Sequence, residues 1–258
     1  MPHVVKELVS GETAVYVWFQ AMHTRVDLLL KSDSHDAQAL LAAAGKIQSL
    51  VAEIEAAGNC FDHASELSRF NSLEPGERML PSRFLYEMLS LCRHYNVLTQ
   101  GIFDVTVSSQ GHTPGMAGDV HVEPDGEIWR GNRALYINLS GFIKGYALDC
   151  VRALLHAEGI RDAVVNMGNS SVMALGQTPL NLDDGCLTTS GNPGGRPLQI
   201  VNPLTGAVVE TTGRVEVATG GGAEGEVLST VLFIAGEDPS YESLLRSRFD
   251  IRRITRHG

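Results

Sequence analysis

The residues Asn138-Leu139-Ser140-Gly141-Phe142-Ile143-Lys144-Gly145-Tyr146-Ala147-Leu148-Asp149 constrain the fold more than any other stretch of this 258-residue chain. Ahead of them Ala134-Leu135-Tyr136-Ile137 alternates like a strand, and Tyr146 to His156 has the apolar spacing of an amphipathic helix. Between the two lie Gly141, Gly145, Ser140 and Lys144. A helix start offers unpaired N–H groups and the positive end of the helix dipole. Glycine lets a ligand approach the backbone closely, and Lys144 adds a full positive charge. That combination suits a phosphate or pyrophosphate. The spacing is neither a Walker loop nor G-x-G-x-x-G, so the usual nucleotide assignments do not apply.

Hydrophobic residues make up 43% of the chain and charged residues 19%, which allows a sizeable core in one large domain or two intertwined ones. The net charge of -10 disfavours a general nucleic-acid or anionic-membrane binder and leaves a local phosphate site open. Cys60, Cys92, Cys150 and Cys186 form no CxxC pair and no zinc spacing, and read as buried thiols of a reducing compartment. The N-terminal MPHVVKELVSGETAVYVWF has no basic region followed by a continuous apolar stretch, and no membrane span is visible, so a cytoplasmic protein is expected.

Thr13 to Phe19 and Arg25 to Lys31 alternate as a strand pair. Asp36 to Ala57 is a long helix, capped by Ser34 or Asp36 and ended near Gly58, and Ser82 to Leu98 is a second. Ser109 to Gly126 shifts to Gly, Pro, His and Asp and reads as a loop. Further strands are expected at Glu127 to Trp129, Leu135 to Ile137, Asp162 to Asn166, Ser171 to Leu175, Cys186 to Thr189, Leu198 to Val201, Val208 to Thr211 and Val215 to Ala218. Helices are expected from about Lys144 to Glu158 and from Glu224 to Ile234. The tail from Arg246 to His257 holds Arg246, Arg248, Arg252, Arg253 and Arg256 and reads as partly disordered. Mixed hairpins and crossovers point to an α+β fold.

Polar or Gly-rich clusters fall at element ends: Glu66 to Asn71, Gly101 to Thr106, Asn166 to Ser170, Thr188 to Asn192, and Gln199 to Gly206. Taken singly, each is what an ordinary turn requires. Glu226 and Thr230 are four apart on a helix, so a carboxylate and a hydroxyl share one face and can reach one hard cation. A solvated helix face would have the same spacing.

In this order the clusters resemble the ApbE family, the FAD:protein FMN transferases, over Gln20 to Gly236. Glu66 to Asn71 matches the family's ELSRFN, which puts Ser68, Arg69 and Asn71 beside FAD. Phe103, Asp104 and Thr106 resemble its FDPT, with Val105 in place of proline. Asn138 to Asp149 is similar to DLGGIAKGYAVD, which gives Ser140, Gly141 and Lys144 the phosphate end. Asn166 and Gly168 fall in its N-x-GG-D segment, Ser190 and Gly191 in its TSG, and Met22 in its A-M-G-T. Glu226 and Thr230 correspond to the metal-holding positions of ADALST, and the carbonyl of Ile143 completes that set. The resemblance implies an α+β fold related to T-fold domains, in which two intertwined α/β parts surround a central cleft. One such domain would span 1–258, with 246–258 as a basic tail. It further implies Mg²⁺ at the FAD pyrophosphate. The implied reaction transfers FMN to a Thr or Ser of a partner flavoprotein, or hydrolyses FAD to FMN and AMP.

Several positions depart from the family. Its proton-accepting histidine is Gln199 here, and a neutral amide accepts no proton; general-base catalysis is typically worth ~10²–10⁴-fold. Asn202, Asn138 and Ser140 replace family Asp, Asp and Gly, His23 replaces the glycine of A-M-G-T, and the second glycine of N-x-GG-D is Asn169. His23, His112 and His121 are the candidate substitute bases, His23 first. The alternative to an enzyme is a noncatalytic FAD-binding paralogue or scaffold, or a chain whose site takes another ligand.

Overall fold

The computed structural model describes residues 1–7, 11–108, 115–176, 178, 180, 182, 184–192 and 200–258. Gln199 and His112 lie outside the described residues, as does the start of the strand expected at Leu198 to Val201.

Strand alternation builds the largest element first. β1 (His3–Glu7), β2 (Thr13–Ala21) and β3 (Thr24–Ser32) form an antiparallel meander. Along β2 and β3, Val15, Val17, Phe19, Val26, Leu28 and Leu30 are buried, while Tyr16, Trp18, Asp27 and Leu29 on the opposite face are half-buried. The chain then leaves the sheet. α1 (Ala37–Gly58) starts at Asp36, whose side chain accepts from the Ala39 N–H at 2.8 Å. It buries Leu40, Ala43, Ala44, Ile47, Val51 and Ile54 at helical spacing. α2 (Glu66–Ser72), β4 (Arg78–Met79), α3 (Arg83–Leu98), α4 (Met116–Asp119), β5 (Val120–Val122) and β6 (Ile128–Arg130) follow. The strands β4, β6 and β5 form a small antiparallel sheet in that order.

α5 (Ile143–Ala157) returns the chain to the large sheet, where β7 (Asp162–Met167), β8 (Ser171–Leu175), β9 (Cys186–Asn192) and β10 (Gly213–Thr219) add antiparallel strands. α6 (Gly222–Ala235), α7 (Pro239–Arg246) and β11 (Ile251–His257) complete it. The eight-stranded order is β1-β2-β3-β7-β8-β9-β10-β11. The paired residues Val26, Met167, Ser171, Thr188 and Val217 point to one face, and α1, α5 and α6 pack there. Helices on one face of an antiparallel sheet define the α+β class.

Four expectations are corrected. The described part of the loop expected at 109–126 is not all loop, since α4 and β5 form within it. The basic tail is not disordered: α7 and β11 form, and Ile254 of β11 pairs with Val217 of β10. Leu135 to Ile137 is not a strand. Leu135, Ile137 and Leu139 are buried in alternation, but their backbone meets side chains and loops rather than a ladder. Val208 to Thr211 makes only an isolated bridge, Val201 to Val208, closed by the Asn202-to-Gly206 turn.

Candidate functional site

Two hairpin turns lie side by side at one end of the large sheet. Met22 and His23 turn β2 into β3 with φ of 51° and 57°, and Gly168 and Asn169 turn β7 into β8 with φ of 66° and 61°. Paired positive φ is the type I′ turn that suits strand twist. β3 and β7 are neighbours, and a Cβ on Gly168 would meet Thr24 Oγ1 at 2.3 Å, so only glycine fits there. Beside these turns is a cleft enclosing about 400 Å³, including space open to solvent. Met22, His23, Glu55, Gly58, Asn59, Cys60, Phe61, Asn138, Ser140, Ile143 and Lys144 line it. The Phe61 ring meets the His23 ring edge-on, with centroids 6.0 Å apart, and is 63% exposed.

The phosphate-type turn forms the other wall. Asn71 Nδ2 donates to Ile137 O and Ile137 N donates to Asn71 Oδ1, both at 2.9 Å. A side-chain amide thus supplies the partner that a neighbouring strand would have given. Asn138 N donates to Val105 O, and Asn138 Oδ1 accepts from Ser140 N at 2.9 Å and Ser140 Oγ at 2.7 Å, which folds the turn before α5. α5 starts without a side-chain cap.

Behind the turn lies a chain of oxygens. Lys144 Nζ donates to Ser170 Oγ, Ser170 Oγ is 3.4 Å from Ser171 Oγ, and Ser171 Oγ donates to Glu226 Oε1. Glu226 is buried; burial pushes its carboxyl up to about 7, while Lys144 and the Ser171 hydroxyl act in the other direction. One turn along α6, Thr230 Oγ1 lies 3.0 Å and Ser229 Oγ 2.8 Å from Ser190 Oγ of β9. The buried Thr188 hydroxyl has no hydrogen-bond partner among the described residues.

Close helix packing brings these groups together. A Cβ on Gly145 would lie 2.2 Å from Gly222 O and 2.6 Å from Glu226 Cγ. α5 and α6 therefore touch backbone to backbone. Asp149 on α5 accepts from the N–H groups of Gly222 at 2.7 Å and Ala223 at 2.9 Å, so it caps α6 from a neighbouring helix.

Of the residues singled out in the sequence, Met22, His23, Ser140, Ile143 and Lys144 line the cleft. Ser190, Glu226 and Thr230 sit in the oxygen cluster behind it. Others hold the scaffold. Asp104 accepts from Thr106 N at 2.7 Å and Met116 N at 3.1 Å, and Thr106 Oγ1 accepts from Gly115 N, which ties down the ends of that loop. Phe103 packs on Phe142 in the core. Ser68 Oγ donates to Cys60 O, and Asn166 bonds Asn169 within its turn. Gly191 is a packing glycine, since its Cβ would lie 2.3 Å from Gly213 O. Arg69 and Gly141 are exposed. His121 stacks on Trp129 in the small sheet at 3.5 Å and does not line the cleft. Asn202 caps its own turn by accepting from Leu204 N at 2.9 Å, a role that needs no charge. Glu55, Phe61, Ser171 and Asp149 escaped sequence reasoning. Only Asp149 had a signal, as the last residue of the opening segment.

The fold is that of known flavin transferases. The flavin transferase ApbE from Vibrio cholerae superposes with a TM-score of 0.79 at 19% identity, covering 95% of this chain and 96% of that one. The apo form of the Pseudomonas stutzeri flavinyl transferase ApbE gives a TM-score of 0.80 at 16% identity, with 95% and 94% covered. The ApbE protein from Thermotoga maritima gives 0.75 at 20% identity, with 94% and 96% covered. No curated protein sequence matches the chain. The family model for ApbE matches residues 22–252, and the chain belongs to the ApbE family.

Proposed function

We propose that this protein is a flavin transferase that binds FAD in the cleft and passes FMN to a Thr or Ser hydroxyl of a partner flavoprotein, or to water. The observation that carries the reading is the meeting of Lys144, Ser170, Ser171, Glu226, Ser190 and Thr230 beside a cleft rimmed by Phe61, His23 and Met22. An ammonium and a helix N-terminus suit a pyrophosphate, and the soft and aromatic rim suits a flat ring. The acceptor oxygen bonds to the FMN-side phosphorus as the bridging bond to AMP breaks, and a base takes the hydroxyl proton. His23, the histidine among the cleft-lining residues, is the candidate for that proton.

The donor set fits Mg²⁺. Glu226 is a buried carboxylate whose charge is only partly compensated, the hydroxyls of Thr230 and Ser190 are nearby, and every donor is oxygen. Glu226, Thr230 and the Ile143 carbonyl would hold the ion. When bound, it supplies charge neutralisation at the pyrophosphate. Lys144 orients the phosphates from the side of α5.

The large sheet runs from His3 to His257, which supports the whole chain acting as one unit. Its four cysteines are unpaired, in keeping with a cytoplasmic setting. No helix among the described residues is long and apolar enough to cross a membrane. Gln199 in place of the family histidine favours one second reading, a paralogue that binds FAD without cleaving it. Incubation with FAD and Mg²⁺, with and without candidate acceptor flavoproteins, separates the two. AMP release supports the transferase, and FAD that stays bound and intact supports the paralogue.

A further inference from the structure

Arg130 ends β6 and is 2% exposed. Its guanidinium is spread over backbone carbonyls: Nε donates to Asn132 O at 2.9 Å, Nη1 to Asn71 O and Nη2 to Arg133 O. A guanidinium presents donors from three separate nitrogens in one rigid plane, so a single side chain holds three carbonyls that lie apart. Asn71 lies in the last turn of α2, where helix carbonyls lack internal partners and a cation is favoured. The same residue brackets Ile137 with its side-chain amide, and Ile137 leads directly into the cleft-lining turn. A continuous hydrogen-bonded path thus runs from the small sheet to the start of α5.

We infer that Arg130 is a positioning residue for the phosphate end of the cleft. It fixes Asn71, Asn71 fixes Ile137, and Ile137 sets where Asn138, Ser140 and Lys144 stand. The ligand half of this statement rests on the FAD reading; the structural half does not.

Arg130→Lys tests both halves, because it keeps the charge and loses the fork. In the ligand-free protein, hydrogen exchange is expected to rise ~10-fold or more at the amides of Ile137 to Ser140 and to stay unchanged in β7 and β8, as loss of a charge-assisted bond predicts. The FAD dissociation constant is expected to rise ~10-fold as well, for the same lost bond. The double variant with Asn71→Ala should bind FAD no worse than Asn71→Ala alone, the signature of one shared path. Uniform acceleration across the sheet, unchanged exchange at Ile137, or unaltered FAD affinity beside a loosened turn would each overturn the role. If Arg130→Lys does not fold, Arg130→Gln is read the same way. Absence of FAD binding by the unaltered protein would sink the functional reading, and the exchange measurement would still decide what Arg130 does.

Discussion

At Gly145 one methyl group decides whether two helices can meet. Alanine there would drive its Cβ to 2.2 Å from Gly222 O, and backbone cannot yield as a side chain would. Gly145→Ala is expected to destabilise the fold by ~3 kcal/mol, the upper range for overpacking, read from the urea midpoint. Gly141→Ala, four residues earlier in the same turn, meets no atom within 4 Å and should shift the midpoint little. Glu226 has the opposite kind of constraint, since it fits in space but not in charge. Burial raises its folded pKa to about 7, above the ordinary carboxylate value of 4.5. Between those values the folded chain holds a proton that the unfolded chain has released, so stability falls as pH rises through that window. Comparing metal-free protein with Glu226→Gln at pH 4.5 and pH 8, the variant should lack a loss on the order of 3 kcal/mol over that range. A parallel pH dependence in both proteins would contradict the assignment.

At the scale of elements, α6 owes its position to a cap borrowed from α5. Asp149→Ala removes the carboxylate oxygens that accept from two backbone N–H groups and is expected to cost ~1–2 kcal/mol in a thermal or urea melt, with Asp149→Asn retaining part of it. That cap was not legible as such, because it joins residues 73 and 74 positions apart. Local pattern was legible. The strands β2, β3, β7 and β8 and the helices α1, α3 and α6 formed where the sequence placed them, to within a few residues. Where the pattern misled, the reason is physical. Leu135 to Ile137 has the alternating burial of a strand, but the Asn71 amide pairs with the Ile137 backbone, and no periodicity announces a side chain standing in for a strand. The tail's arginines read as disorder, yet Arg252, Arg253 and Arg256 lie within an edge strand whose apolar members, Ile251 and Ile254, are too sparse to show a period. Among the candidate site residues, Lys144, Glu226, Thr230 and Ser190 were singled out through their motifs. Phe61 and Glu55 were not, since each reaches the cleft only because α1 and its exit pass beside the turns.

Over the whole molecule, one end of an antiparallel sheet, the start of α5 and the exit of α1 converge on the cleft. A ligand that bridges them stabilises the folded state by mass action, ~2.7 kcal/mol at a hundredfold excess over its dissociation constant. FAD is therefore expected to raise the melting temperature, and riboflavin, which lacks the phosphates that Lys144 would meet, to raise it less. Equal shifts from both would argue against the phosphate assignment. In the proposed transferase this cleft cleaves FAD, and Gln199 stands where the family has its base. The most direct test measures AMP released from FAD with Mg²⁺ by the unaltered protein and by Gln199→His. The expected result is AMP release that Gln199→His raises toward the ~10²–10⁴-fold typical of a restored general base. No AMP from either protein, with no stabilisation by FAD, would contradict it.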